Sequence, residues 1–360
     1  MVSEADWLDR AGAVRTGEEL DVARLEPVLL AALPGAQGPL LVEQFARGYS
    51  NLTYLLRLGE RELVLRRPPF GANIKGGHDM GREVRILRGL EDVYPKAPRP
   101  LFYSEDESIL GAPFYVMERV RGVILRTQLP PGLTVTPATM RGICTTLVDT
   151  LAELHTVDYA AVGLGDLGRP EGYVERQVRG WSQRYANART NELLDMDRTA
   201  TWLADHLPPA RGAALIHNDF KLDNLVLDPA NLQQVRAVLD WEMATIGDPL
   251  MDLGTMLGYW VEATDLPELQ LIGLSTFPGS LRRPEVVARY AVMTGSDVSN
   301  VVYYYVFGLF KIAVIAQQIY FRYCQGHTQD RRFAALDTVV AACARMAAAA
   351  IDRQDIHNLV

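Results

Sequence analysis

The octapeptide from His217 to Asn224, His-Asn-Asp-Phe-Lys-Leu-Asp-Asn, and the run Leu239-Asp240-Trp241-Glu242 constrain this chain more than any other feature. Ala213 to Ile216 is apolar, as are Leu225, Val226 and Leu227, so the polar residues between them fall on a loop leading into a strand. Asp228-Pro229-Ala230-Asn231 supplies a turn, because Asp and Pro favour turn positions. Val235 to Leu239 forms a second apolar strand with Asp240 just past its end. The two strands deliver Asn224 and Asp240 to the same edge.

Magnesium is a hard cation that binds one or two carboxylates and completes its shell with water and substrate phosphates. Asn224 and Asp240 offer oxygen donors of that type, which leaves Asp219 free to accept a proton. Ile246-Gly247-Asp248-Pro249-Leu250-Met251-Asp252-Leu253-Gly254 follows directly. Asp252 is expected to begin a helix and to brace the polar loop by accepting its backbone N–H groups.

The spacing His-x-Asp-x-x-x-x-Asn with a downstream Asp resembles the catalytic loop and metal-binding aspartate of protein-kinase-like phosphotransferases. With Asp-Trp-Glu in place of Asp-Phe-Gly, it is similar to the aminoglycoside phosphotransferase and choline kinase superfamily. The resemblance implies ATP and magnesium as cofactors. Asp219 would orient or deprotonate an acceptor hydroxyl, Asn224 and Asp240 would hold the magnesium, and Lys221 would neutralise the transferring phosphoryl group. His217 would be a scaffold residue of the loop.

Such chemistry needs a cover for the phosphates, a cation for them and a slot for adenine. Phe45 to Leu56 reads as a hairpin in which Gly48 permits a conformation closed to other residues and exposes backbone N–H groups to an anion. Ser50 and Asn51 could add side-chain donors. Glu62 to Arg66 is a short strand that corresponds, by resemblance, to the one bearing the phosphate-binding lysine. This chain has Arg66 there, a planar fork in place of a point charge, expected to bridge the phosphates to Glu83 on a helix over Gly81 to Leu90. Arg67, on the opposite face of the strand, is expected in solvent. Pro113 to Gly122 gives a buried strand ending at a polar hinge, where the backbone around Glu118 and Val120 would read adenine and Met117 would line the slot.

The expected architecture is α+β and bilobal, a protein-kinase-like fold: residues 1–117 form an N-lobe with an antiparallel sheet, 118–122 a hinge, and 123–360 a mainly helical C-lobe. The order of elements, strands first and helices later, suits it. Helices are expected near Val22 to Leu33, Thr139 to Leu154, Tyr173 to Ala188 and Arg332 to Ile351. Val301 to Ala316, nearly all apolar but interrupted by Gly308 and Lys311, reads as a buried helix and not a membrane span, which needs roughly 18 to 20 apolar residues.

At 360 residues, 48% hydrophobic and 22% charged, the chain is globular and about two domains long. A formal net charge of −8 argues against nucleic acid as a partner, since that binding depends on Lys and Arg neutralising phosphates. Cys144, Cys324 and Cys343 have neither metal nor disulfide spacing, and the acidic start Met1 to Trp7 lacks the features of a secretory signal. A cytoplasmic location, with no membrane partner, is the expectation.

Gly-x-Ser-Asn-x-Thr-Tyr, Val-Leu-Arg and Pro-Phe-Tyr-Val-Met-Glu most resemble the kinase domain that larger proteins carry fused to an acyl-CoA dehydrogenase. That branch implies a small hydroxylated acyl acceptor, such as a hydroxyacyl-CoA. Arg176, Arg179 and Arg184 with Tyr173, Trp181 and Tyr185 are either a cationic, aromatic wall for it or the two faces of an amphipathic helix. An aminoglycoside would want an acidic cleft, for which Asp195, Asp265 and Glu268 are scattered candidates. The alternatives are an aminoglycoside- or choline-type kinase and a catalytically silent nucleotide-binding protein.

Overall fold

A computed structural model describes residues 7–45, 51–71, 78–272, 275–328 and 330–360. Its first third is an antiparallel sheet in the order β1–β2–β3–β4–β6–β5. The strands are β1 (Ala11–Gly12), β2 (Leu40–Phe45), β3 (Leu52–Leu58), β4 (Arg61–Arg67), β5 (Pro100–Ser104) and β6 (Phe114–Glu118). Three helices accompany them: α1 (Val22–Ala32), α2 (Met80–Leu90) and the short α3 (Glu107–Leu110). Asp79 caps α2 by accepting from the Arg82 N–H.

Strand side chains alternate between faces, and the two faces bury different cores. Leu63, Leu65, Phe114 and Val116 pack with Leu25, Leu29 and Leu33 of α1 and its end. Val64, Tyr115 and Met117 join the larger core that runs through α2 into the C-terminal helices. Arg66 therefore points with Val64 toward the rest of the molecule. Arg67 points the other way but is buried, correcting the expectation of a solvated side chain, because that face carries a core of its own. It is 2% exposed, its Nε donates to the Pro68 carbonyl (3.0 Å), and its guanidinium lies 3.7 Å from the centre of the Phe70 ring.

Beyond the sheet the chain is mainly helical: α4 (Pro137–His155), α5 (Tyr173–Ala188), α6 (Leu194–Asp205), α7 (Pro249–Tyr259), α8 (Arg283–Thr294), α9 (Val301–Cys324) and α10 (Leu336–Arg353). Two small antiparallel pairs interrupt it, β7 (Ala214–Ile216) with β10 (Thr245–Gly247) and β8 (Leu225–Leu227) with β9 (Val235–Val238). α9 outruns the expected stretch and reaches a length that could span a membrane. Its residues 303–314 are nonetheless buried, with α5, α6, α7 and α10 packed around it. A Cβ on Gly308 would fall 2.0 Å from the Gly254 carbonyl oxygen, and one on Gly254 2.1 Å from that of Tyr304, so glycine is what lets α7 and α9 cross this closely.

Candidate active site

The polar loop joins β7 to β8, and buried groups hold it at almost every residue. The His217 and Asn218 backbone N–H groups donate to the two oxygens of Asp252, at 2.6 and 2.8 Å. His217 donates through Nε2 to the Leu239 carbonyl (2.9 Å) and accepts the Asp219 N–H at Nδ1 (3.3 Å), partners that fix its tautomer. Asn218 has φ 66°, a left-handed conformation that Asn tolerates, and its side-chain Nδ2 donates to the Met243 carbonyl (3.0 Å) and the Tyr173 hydroxyl (3.1 Å). Lys311 of α9 reaches the Asn218 carbonyl with Nζ at 2.6 Å.

Asp252 does brace the loop, but it does not begin the helix. Asp248 caps α7 through the Leu250 N–H (2.9 Å) with Pro249 in the first turn, which is where proline fits. Asp252 lies within that first turn. Burial works to raise its pKa, yet His155 (3.2 Å) and the His217 N–H outweigh it and hold the carboxyl below the usual range.

These anchors leave Asp219, Lys221, Asn224 and Asp240 beside one another. Lys221 Nζ lies 2.9 Å from Asp219 Oδ2 and 4.7 Å from the Tyr259 ring centre. Burial opposes its charge, but Tyr259, Asp219 and Asp223 keep its pKa well above the ordinary value. Asn224 donates through Nδ2 to the Asp219 carbonyl (2.8 Å) and carboxylate (3.0 Å). Asp240 follows β9 at φ 69°, and the Leu239 N–H, bonded to the Asn224 carbonyl (2.8 Å), fixes the two residues side by side.

The sheet contributes the facing wall. Arg66 is buried, and its guanidinium lies 3.4 Å from Glu83, 2.9 Å from Asp240 and 3.3 Å from Glu242. Burial disfavours its charge, but these carboxylates prevail and hold it firmly cationic. Burial pushes Glu83 upward. For Asp240 burial acts in the same sense, and the Arg66 guanidinium overrides it to leave the carboxyl below its ordinary range. The Asp240 side chain is 35% exposed, so it is ringed by protein on one side and open to the cleft on the other.

The cleft between these walls has a volume of about 290 Å³, at the lower edge of small-molecule sites, which run from roughly 300 to 1,000 Å³. Arg66, Met117, Glu118, Val120, Lys221, Asn224, Asp240 and Glu242 all line it. Its apolar lining includes Val64, Met117, Ile124, Val226 and Leu239. Gly122 closes the hinge: a Cβ there would fall 2.4 Å from the Leu227 carbonyl oxygen, where Val123 pairs with Leu227. The Glu118 N–H is already given to the Arg99 carbonyl (3.0 Å).

Asn51 also lines the cleft. Its Nδ2 donates to Glu242 (2.6 Å) and its Oδ1 meets His78 (2.8 Å), because an amide only 1% exposed must be satisfied within the protein. It links the sheet to the Asp-Trp-Glu run. Gly48 and Ser50 lie outside the described residues. Tyr173, Trp181 and Tyr185 face inward while Arg179 and Arg184 are exposed, the pattern of an amphipathic helix. Sequence reasoning did not single out Glu242 or Lys311 for the site. Glu242 sits in the quoted Asp-Trp-Glu run and could have been found there.

The donor set suits magnesium. Asp240 and Asn224 present one carboxylate and one amide oxygen-bearing group to the same cleft, and among the described residues no group of three or more His, Cys, Asp or Glu forms an all-protein cage. Magnesium bound partly through substrate phosphates needs no such cage.

A sequence profile of the family described as "Phosphotransferase enzyme family" matches residues 41–285. Acyl-CoA dehydrogenase family member 11 of Gallus gallus is 36% identical over an alignment of 324 residues that covers 87% of this chain and 41% of that protein. The chain thus spans about two-fifths of that relative's length. A candidate aminoglycoside phosphotransferase from Ralstonia eutropha JMP134 superposes with a TM-score of 0.78 at 31% identity, over 91% of this chain and 97% of that one. Choline kinase from Cryptosporidium parvum shares the fold, with a TM-score of 0.64 at 12% identity over 94% of this chain and 98% of that one.

Proposed function

The chain belongs to the phosphotransferase enzyme family, and from that premise we propose that it transfers the γ-phosphoryl group of ATP to a hydroxyl of a small organic acceptor. The observation that carries this reading is the convergence of Arg66, Asn224 and Asp240 on one cleft, with the Asp219 carboxylate held beside it, 3.0 Å from Asn224 Nδ2. Asp219 positions the acceptor hydroxyl and takes its proton at a carboxylate oxygen. Lys221, 2.9 Å from that carboxylate, faces the phosphoryl oxygens with a fixed positive charge. Asn224 and Asp240 would hold magnesium, which supplies charge neutralisation of the phosphates when bound. Arg66 exchanges part of its contact with Asp240 and Glu242 for phosphate, while Glu83 keeps it in place. Val64, Met117, Val226 and Leu239 would offer adenine apolar surface.

For the acceptor, the reading is a hydroxylated acyl compound of the hydroxyacyl-CoA class. Its supports are the similarity to a relative named for acyl-CoA dehydrogenase and the fate of two of the three acidic candidates for a polycationic acceptor. Asp265 is buried in a pair with Arg283 (2.6 Å), and Glu268 pairs with Arg345 (3.0 Å). The test is to incubate the protein with magnesium, ATP and a pool of hydroxyacyl-CoAs and read products by mass. Gain of one phosphoryl group supports the reading. ATP bound but never consumed, with any acceptor, would make the protein a silent nucleotide binder. Asp240→Ala should abolish magnesium-dependent nucleotide binding; an unchanged magnesium titration removes Asp240 from the metal site.

A further inference from the structure

Lys311 is the one charged residue in the interior of α9, 2% exposed in a helix otherwise built of apolar and aromatic side chains around it. Its ammonium has three protons to place. Among the described residues its hydrogen-bond partner is the Asn218 carbonyl at 2.6 Å, with the Trp181 ring centre 5.7 Å away. A buried ammonium so sparsely paired is costly, and a methionine would fill a similar space without that cost. Its placement has one consequence for chemistry. The carbonyl it holds belongs to the peptide that carries Asp219, at a residue already pinned through its N–H and its side chain.

Resting on the phosphotransferase reading, we infer that Lys311 is a positioning residue: it locks the Asn218–Asp219 peptide from behind and supplies a fixed positive charge beneath Asp219. A polyphosphate entering the cleft drives a neighbouring carboxylate toward its protonated, unreactive form. Lys221 opposes this from the cleft side and Lys311 from the core side. The other charges around Lys311 are Asp252 of α7 and Arg184 of α5. Burial is the largest influence on the amine and pushes its pKa down to about 8, against the pull of Asp219 and Asp252. The charge is therefore present at neutral pH and lost just above it.

The experiment compares wild type with Lys311→Met, following magnesium-dependent release of phosphate from ATP, with water as the acceptor, from about pH 6 to 10. The expected result is a loss of about 10- to 100-fold in kcat with KM for ATP held within about twofold. Wild type should also lose kcat as pH rises through about 8, a limb missing from the variant. An equal kcat and an identical alkaline limb in the two proteins would overturn the inference. Should Lys311→Met not fold, the tryptophan fluorescence of wild type decides: a transition near pH 8 is required, and its absence overturns the proposal. Wild type that consumes no ATP with any acceptor sinks the phosphotransferase reading, whereas an active wild type with an indifferent variant sinks this inference alone.

Discussion

The two walls of the cleft are held by different physics. On the helical side, the loop from His217 to Asn224 is fastened by short, directional bonds to buried partners: Asp252 of α7, Met243, Tyr173 of α5 and Lys311 of α9. On the sheet side, a single guanidinium, Arg66, gathers Glu83, Asp240 and Glu242. Hydrogen bonds that saturate buried backbone groups cannot be traded without leaving a donor unpaired, so that wall holds a geometry. Ion pairs at the cleft can be taken over by an incoming polyanion and its metal, so the sheet wall can exchange partners and still keep its charge satisfied. Asp219, the proposed proton acceptor, lies on the wall that cannot adjust.

The sharpest way to break this contrast is Asp219→Ala. If the rigid wall exists to hold that carboxylate, turnover should fall by about 10² to 10⁴ while the melting temperature hardly moves, since Asp219 itself fastens little beyond Asn224 and Lys221. Wild-type turnover in a phosphotransfer assay would remove Asp219 from the mechanism. Next comes the sheet wall. Arg66→Met strands Glu83, 1% exposed, without its cation, and truncating one member of a buried pair costs about 3–5 kcal/mol. Arg66→Lys should recover much of that stability but bind ATP less well, because an ammonium cannot fork between Asp240 and phosphate. Urea unfolding and nucleotide titration separate the two effects; equal stability of wild type and Arg66→Met would show that the ion cluster does not hold the wall.

Asp252→Ala tests the other wall and should cost about 3 kcal/mol, the scale of hydrogen bonds to a buried charge. The pH dependence gives the sign. Because the folded carboxyl is held below its ordinary value of 3.8, its contribution is fully present above about pH 4 and is lost as pH falls through the folded pKa. The stability gap between wild type and variant should therefore close in acid. A gap that is constant from pH 7 to about 2 would mean that the loop is not braced by ionised Asp252.

What the sequence disclosed follows from how far apart partners lie along the chain. Asp219, Lys221, Asn224 and Asp240 fall within one loop and hairpin, so spacing alone places them on one edge. Arg66 with Glu83 was legible through the order strand, then helix. The contacts of Arg66 with Asp240 and of Asn51 with Glu242 span 174 and 191 residues, and no local pattern encodes them. Arg67 shows the limit of strand alternation: it gives the face, correctly, but not what covers that face. Lys311 was visible only as an interruption in an apolar run. The same interruption becomes a loop anchor once α9 is packed behind Asn218, 93 residues away in sequence.

Lys311→Met carries the smallest expected change in stability, and the smallness is itself informative. Lowering the amine from 10.5 to about 8 means that the buried charge costs on the order of 3 kcal/mol at pH 7, at about 1.4 kcal/mol per pKa unit. Methionine relieves that cost but leaves the Asn218 carbonyl unpaired, a penalty of about 1–3 kcal/mol. The two nearly cancel, so the variant should unfold in urea within about 2 kcal/mol of wild type, on the stable side. The pH trend separates them more clearly. A lysine whose folded pKa is depressed makes wild type gain stability as pH rises from about 8 toward 10.5, and the variant should lack that gain. Parallel curves across this window would show that folding does not depress the Lys311 pKa, and the loss of kcat expected near pH 8 would then have to come from another group.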